Sequence, residues 1–97
     1  MSNGLGPLPA VKRGLEVTVF VKEGCHLCDM VEEEIRSAAG QEVDLTVVDI
    51  DSDPALQERY WVRIPVVTVN GEEIFEAKMM DLKGRWRERL SSLIMGG

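Results

Sequence analysis

Cysteine is scarce in this sequence, basic residues are outnumbered, and long apolar runs are missing. Two cysteines in 97 residues are too few for a fold held by a disulfide framework. Eleven lysines and arginines stand against seventeen aspartates and glutamates, for a formal net charge of -6. Nucleic-acid binding needs a basic footprint, so that balance argues against it. No apolar stretch approaches the ~20 residues that span a bilayer. The opening Met1-Ser2-Asn3-Gly4-Leu5-Gly6-Pro7-Leu8-Pro9 has no charged region followed by an apolar one, so no signal peptide is expected. The expected setting is a reducing, cytoplasmic one, in which a cysteine pair is catalytic or metal-binding rather than structural.

What is present fits one small soluble domain. Hydrophobic residues make up 44% and charged residues 29%, an ordinary balance. A chain this long buries roughly two-thirds of its unfolded surface, enough for one modest core. Residues 1–14 hold Gly4, Gly6, Pro7, Pro9 and Gly14 with few large apolar groups, which predicts a flexible leader. The folded domain is expected over residues 15–97, without internal repeats or low-complexity tracts.

Leu15 to Lys22 is short, apolar and β-branched, as a buried strand is. Gly24 breaks it. Leu27, Met30, Val31, Ile35 and Ala38 then recur at spacings of three and four, the stripe of an amphipathic helix, with Gly40 as its stop. Val43 to Ile50 predicts a second strand. Asp53-Pro54 is a cap followed by a first-turn proline and opens a short helix to Tyr60. Ile64-Pro65 ends it, since the residue before proline disfavours helix. Val66 to Val69 and Glu72 to Glu76 predict a hairpin around Asn70-Gly71, a pair suited to a type I′ turn. Asp81 is expected to cap a last helix with Leu82, Trp86, Leu90, Leu93 and Ile94 on its apolar face, ending at Gly96-Gly97. The first strand–helix–strand unit implies a right-handed parallel crossover. The expected architecture is α/β, in the order β-α-β-α-β-β-α. Its four-stranded mixed sheet has three helices on its faces and the first strand in the centre.

The chemistry-bearing segment is Cys25-His26-Leu27-Cys28. It falls between the end of a strand and the first turn of a helix. Cysteines at i and i+3 there share a face and lie within disulfide range if the loop permits. Unpaired N–H groups and the positive end of the helix dipole favour a thiolate. Cys25, the outer residue, is the expected nucleophile. Cys28, further into the helix, is the expected resolving thiol. Lys22 adds positive charge. His26 supports the thiolate if protonated and does little if neutral. Glu23, Asp29, Glu32 and Glu33 oppose the thiolate wherever they are close. A net lowering of the Cys25 pKa is nevertheless expected.

Three other readings are open to a Cys-x-x-Cys pair. It is a chance pair of buried thiols in a non-catalytic binding module, or a metal or iron–sulfur carrier bridging two chains, or a haem attachment site. Structural zinc wants four ligands, and Cys25, Cys28 and His26 fall short within one chain, so no metal site is expected. Haem attachment through Cys-x-x-Cys-His is excluded because Asp29 follows Cys28.

The sequence resembles the glutaredoxin branch of the thioredoxin-fold proteins. The likeness lies in Lys22-Glu23-Gly24-Cys25-His26-Leu27-Cys28, Val48-Asp49-Ile50-Asp51, Arg63-Ile64-Pro65-Val66 and Asn70-Gly71, across roughly residues 15 to 95. It is greatest to bacterial glutaredoxin-like proteins with a Cys-x-Leu-Cys site. The resemblance implies a dithiol–disulfide oxidoreductase acting on protein or low-molecular-weight disulfides. It implies a cis Ile64–Pro65 bond beside Cys25, with Val66 able to pair with an extended thiol substrate. The expected substrate contacts are Lys22, His26, Leu27, Ile64, Pro65 and Val66. No tightly bound cofactor is expected. Glutathione is a candidate co-substrate, and a thiol reductant or a reductase protein the expected partner. The family's Gly-Gly pair and following acidic residue are replaced by Phe75, Glu76, Ala77 and Lys78, which leaves glutathione binding unsupported. With Glu23 and Asp29 flanking the thiols, a protein substrate with a basic face is expected over an anionic tripeptide.

Other residues carry paired readings. Arg63 binds a substrate carboxylate bidentately or pairs with local acids. Tyr60-Trp61 marks a partner surface or is buried at a helix end. Met79-Met80 lines a groove or fills the core. Asp49 relays protons for Cys28 or caps the following turn. Trp86 is expected in the core, and Glu32-Glu33-Glu34 on a solvated helix face.

Overall fold

A computed structural model describes residues 15–39 and 43–95. The expected leader 1–14, the helix stop at Gly40 and the terminal Gly96-Gly97 lie outside the described residues. The elements run β1 (Leu15–Val21), α1 (His26–Ala39), β2 (Val43–Asp49), α2 (Pro54–Tyr60), β3 (Val66–Val69), β4 (Glu72–Phe75) and α3 (Trp86–Met95), with single 3-10 turns at Ile50–Ser52 and Ala77–Met79. The sheet order is β2-β1-β3-β4. β1 pairs parallel with β2, from Leu15 opposite Val43 to Val21 opposite Asp49. It pairs antiparallel with β3, Phe20 opposite Val66 and Val17 opposite Val69. The apolar first strand is therefore interior, as its composition predicts. The architecture is the expected α/β thioredoxin-type arrangement of three helices and a four-stranded mixed sheet.

Period-two alternation assigns each face of the sheet a core. Val17 and Val19 of β1 and Val67 of β3 join Val31 and Ile35 of α1 and Trp86, Leu90 and Ile94 of α3 on one side. Phe20 and Val66 turn to the other, against Ile50, Leu56 and Tyr60 around α2. Phe20 and Tyr60 stack there with ring centroids 4.5 Å apart. The hairpin turns through Asn70 (φ 52) and Gly71 (φ 89), the two positive φ values of a type I′ turn. Asn70 also anchors the hairpin to β1, because its side-chain oxygen accepts from the Glu16 amide at 3.0 Å.

The last helix departs from expectation. Asp81 does act as a cap, accepting from the Trp86 amide at 2.9 Å and the Arg85 amide at 3.3 Å. The helix itself begins only at Trp86. Gly84 sits at φ +78, outside right-handed helical space, so residues 82–85 turn rather than wind. Leu82 consequently points fully into solvent instead of joining the apolar face. Leu93 lies on the flank of that face and is also exposed. The first, second and fourth strands stop one residue short of the expected ends, at Val21, Asp49 and Phe75.

Candidate active site

The site begins where β1 leaves the sheet. The Cys25 amide donates to the Lys22 carbonyl at 3.1 Å, closing a turn over Lys22–Cys25. Gly24 occupies that turn at φ +83, a conformation that costs glycine little and L side chains more. The turn delivers Cys25 to the position just before the first residue of α1. From there its carbonyl accepts from the Asp29 amide at 3.3 Å. Its sulfur accepts from the Cys28 amide at 3.1 Å. One of the orphan amides of a helix start is thus aimed at the outer sulfur.

Cys25 and Cys28 form a disulfide, with their Cα atoms 5.2 Å apart. The loop permits the bond that the spacing allowed. The two sulfurs differ in access: Cys28 is only 1% exposed, whereas Cys25 is partly open to solvent. His26 and Leu27 lie exposed between them, Leu27 at 45%. Lys22 is exposed at the start of the turn.

The second wall is the start of β3. Since Phe20 pairs with Val66, Pro65 arrives beside the exit of β1. The Ile64–Pro65 peptide is cis, as the resemblance implied. The side chains of Pro65 and Val66 are buried, and Val66 packs against Ile50 and Tyr60. What this segment can offer a ligand is therefore backbone. Its approach is held from both sides. The Arg63 and Ile64 amides donate to the Tyr60 carbonyl at 2.7 and 3.1 Å, and the Ala77 amide donates to the Arg63 carbonyl at 3.0 Å.

Arg63 resolves to the second of its two readings. Its guanidinium pairs with Glu73 and, at 3.3 Å, with Glu76, and lies 5.3 Å from the Tyr60 ring centroid. The Arg63 hydrogen bond holds the Glu73 carboxyl below its ordinary range despite partial desolvation. Burial pushes the Tyr60 hydroxyl upward, and the neighbouring Glu73 adds to that rise. Asp49 caps the 3-10 turn, its carboxylate accepting from the Asp51 amide at 2.8 Å. Met79 and Met80 pack against the larger core, and Trp86 is buried within it, 6.0 Å from Phe75. Of the three adjacent glutamates on α1, Glu32 pairs with Arg36 and Glu34 with Arg87, while Glu33 remains exposed.

Tyr60 and Trp61 divide between their two readings. Tyr60 is buried, whereas Trp61 is 65% exposed. Trp61 borders a groove that the sequence reasoning did not assemble. Lys22 lines it together with Asp51 and with Pro54, Gln57 and Glu58 of α2. The available signal was the spacing of 54, 57, 58 and 61, one helix stripe at i, i+3, i+4 and i+7. Its mixed polarity hid it from a search for apolar stripes. Among the described residues no cluster of three or more His, Cys, Asp or Glu could hold a metal ion. Among them, too, no helix is long and apolar enough to cross a membrane.

Comparison with known proteins agrees with this geometry. The profile of the Glutaredoxin-like domain (DUF836) family matches residues 16–93. A structural-genomics target protein from X. campestris is 30% identical, with a TM-score of 0.55, over 84% of this chain and 97% of its own. A protein from Nitrosomonas europaea shares the fold at 24% identity and a TM-score of 0.61, over 99% and 95% of the two chains. A mutant thioredoxin from Halobacterium salinarum shares it at 24% identity and a TM-score of 0.58, over 87% and 74%. No curated protein matches this sequence.

Proposed function

The chain belongs to the glutaredoxin-like domain family, and from that premise we propose that it is a dithiol–disulfide oxidoreductase for protein or small-molecule disulfides. The observation that carries this reading is the Cys25–Cys28 pair at the start of α1, with the Cys28 amide on the Cys25 sulfur. A thiolate at that sulfur would receive a backbone hydrogen bond and the positive end of a 14-residue helix.

In the reduced protein, the Cys25 thiolate attacks one sulfur of a substrate disulfide. A mixed disulfide forms, and the other substrate sulfur leaves as a thiolate that takes up a proton. Cys28 loses its proton and attacks the Cys25 sulfur. The mixed disulfide breaks, the second substrate thiol departs, and the Cys25–Cys28 bond closes. The substrate gains two electrons and the protein loses two. A low-molecular-weight thiol such as glutathione, or a reductase protein, returns them. The exchange requires no bound cofactor and no metal. Lys22 and His26 adjust the charge near the sulfur, and Leu27 offers apolar contact. The backbone at Ile64, Pro65 and Val66 docks an extended segment as a strand would. A cytoplasmic setting would keep the pair supplied with reductant.

Reduction of insulin or hydroxyethyl disulfide by wild type and Cys25→Ser tests the proposal. Turnover should depend on Cys25. If no reductant supports Cys25-dependent turnover, the enzyme reading fails in favour of a binding module.

A further inference from the structure

Trp61 and Val62 are 65% and 66% exposed, on the turn between α2 and the cis Ile64–Pro65 bond. Two adjacent large apolar side chains are thus left in water beside a polar lining. Trp61 lines the groove of about 320 Å³ that also contains Lys22. The Lys22 carbonyl accepts the Cys25 amide at 3.1 Å, so one residue of the groove lining belongs to the turn that carries Cys25.

Its charge is unbalanced. Two carboxylates, Asp51 and Glu58, share the lining with one cation, Lys22. Asp51 accepts from the Gln57 side-chain amide at 2.7 Å, which neutralises nothing. Among the described residues neither carboxylate has an ion-pair partner. Nearby cations are committed elsewhere. Arg63 is taken by Glu73 and Glu76, and Arg59 lies over the Tyr60 ring at 5.5 Å. Glu23 and Asp29 add exposed negative charge on either side of the sulfurs. An anionic disulfide would meet one lysine against this field, while a cationic one would be steered into it.

Building on the oxidoreductase reading, we propose that this groove selects its substrate: a disulfide-bearing protein whose cysteine is flanked by lysine or arginine and an apolar residue. The apolar residue packs on Trp61 and the basic residue faces Glu58 and Asp51. The adjoining cysteine then lies at Cys25.

The test uses the reduced full-length chain and two peptides, each closed by one disulfide. They are identical except for lysines or glutamates beside the cysteines, and each carries one leucine. Glutathione disulfide is the small anionic comparison and hydroxyethyl disulfide the neutral one. In low salt the lysine peptide should oxidise the protein about tenfold faster than the glutamate peptide. That gap should close as the Debye length falls from about 30 to about 3 Å. Among the described residues the Glu58 side chain has no hydrogen-bond or ion-pair partner, so Glu58→Lys should fold normally and narrow or invert the ratio. Trp61→Ala should raise the half-saturating concentration of the lysine peptide. Equal peptide rates, a preference for the glutamate peptide or glutathione disulfide, or an unchanged ratio in Glu58→Lys overturns the inference. The oxidoreductase reading survives any of these while hydroxyethyl disulfide still reacts in a Cys25-dependent way. If none of the four disulfides oxidises the chain in a Cys25-dependent way, that reading falls and the inference with it.

Discussion

The backbone amide of Cys28 donates to the sulfur of Cys25 at 3.1 Å. The contact joins the buried cysteine to the accessible one, and only the Cys25 sulfur receives it. It depends on the Lys22–Cys25 turn and on the start of α1, so this hydrogen bond is supplied by backbone rather than by a side chain. In the reduced protein the same amide would stabilise a Cys25 thiolate more than a thiol.

The Cys25 thiol should therefore titrate below the free-cysteine reference of about 8.5. Following thiolate absorbance against pH in Cys28→Ser isolates this group. Glu23 and Asp29 work in the opposite direction, so Asp29→Asn should move the midpoint lower still. A midpoint at or above the reference would mean that the acidic surroundings outweigh the helix terminus.

Unequal access makes a second expectation. Cys28 is 1% exposed, whereas Cys25 is partly open. Cys28→Ser should accumulate a mixed disulfide at Cys25 when given a disulfide substrate, because the resolving thiol is gone. Cys25→Ser should accumulate almost none. Intact-protein mass spectrometry distinguishes the two, and comparable adducts on both variants would contradict the assignment of nucleophile and resolver.

The turn that places Cys25 should be sensitive to a single methyl group. A Cβ at Gly24 meets no atom within 4 Å, so Gly24→Ala introduces no clash. Its cost is conformational, from φ +83, at about 1–2 kcal/mol. Denaturant unfolding should show that loss. Disulfide reduction should slow as well, since relief of the strain shifts the Lys22–Cys25 turn. Unchanged stability would indicate that the turn relaxes to negative φ without consequence.

Much of this was legible before the structure because it rests on local rules. Asn70-Gly71 specified a type I′ turn, Asp53-Pro54 a helix start, and the apolar β-branched run from Leu15 a buried central strand. Cys25 and Cys28 were separable by their depth in one helical turn. What local rules could not supply was tertiary. Asp81 caps the last helix as expected, yet the helix starts later than that cap suggested. Gly84 delays the helix to Trp86, and a propensity reading passes over one glycine there. Arg63 had two chemically sensible roles, and only the return of β4 brings Glu73 and Glu76 to it. The groove escaped because it combines a loop lysine with an α2 stripe, residues some thirty positions apart in sequence that meet only once β2 is laid beside β1.

The Arg63 cluster should make stability depend on pH in a defined window. The Glu73 pKa is lowered in the folded chain, mainly by its hydrogen bond from Arg63. A carboxyl depressed on folding contributes stability above its unfolded pKa and loses it as pH falls through the folded value. Part of the native stability should therefore disappear on acidification below about pH 4.3. The side chains of Arg63 and Glu73 are about a third exposed, at 29% and 32%, so solvent screening limits the pair to about 1 kcal/mol or less. Arg63→Ala should cost about that much near neutrality and flatten the acid limb, because Glu73 then titrates more nearly as it does unfolded. Glu73→Gln should flatten the limb too while leaving Glu76 to hold Arg63. Urea midpoints measured across the acid range for the three proteins give the comparison. If the Arg63→Ala curve runs parallel to wild type from about pH 3 to about pH 7, the ion cluster does not stabilise the approach to Pro65. The backbone bonds to the Tyr60 carbonyl and from the Ala77 amide would then hold the segment alone.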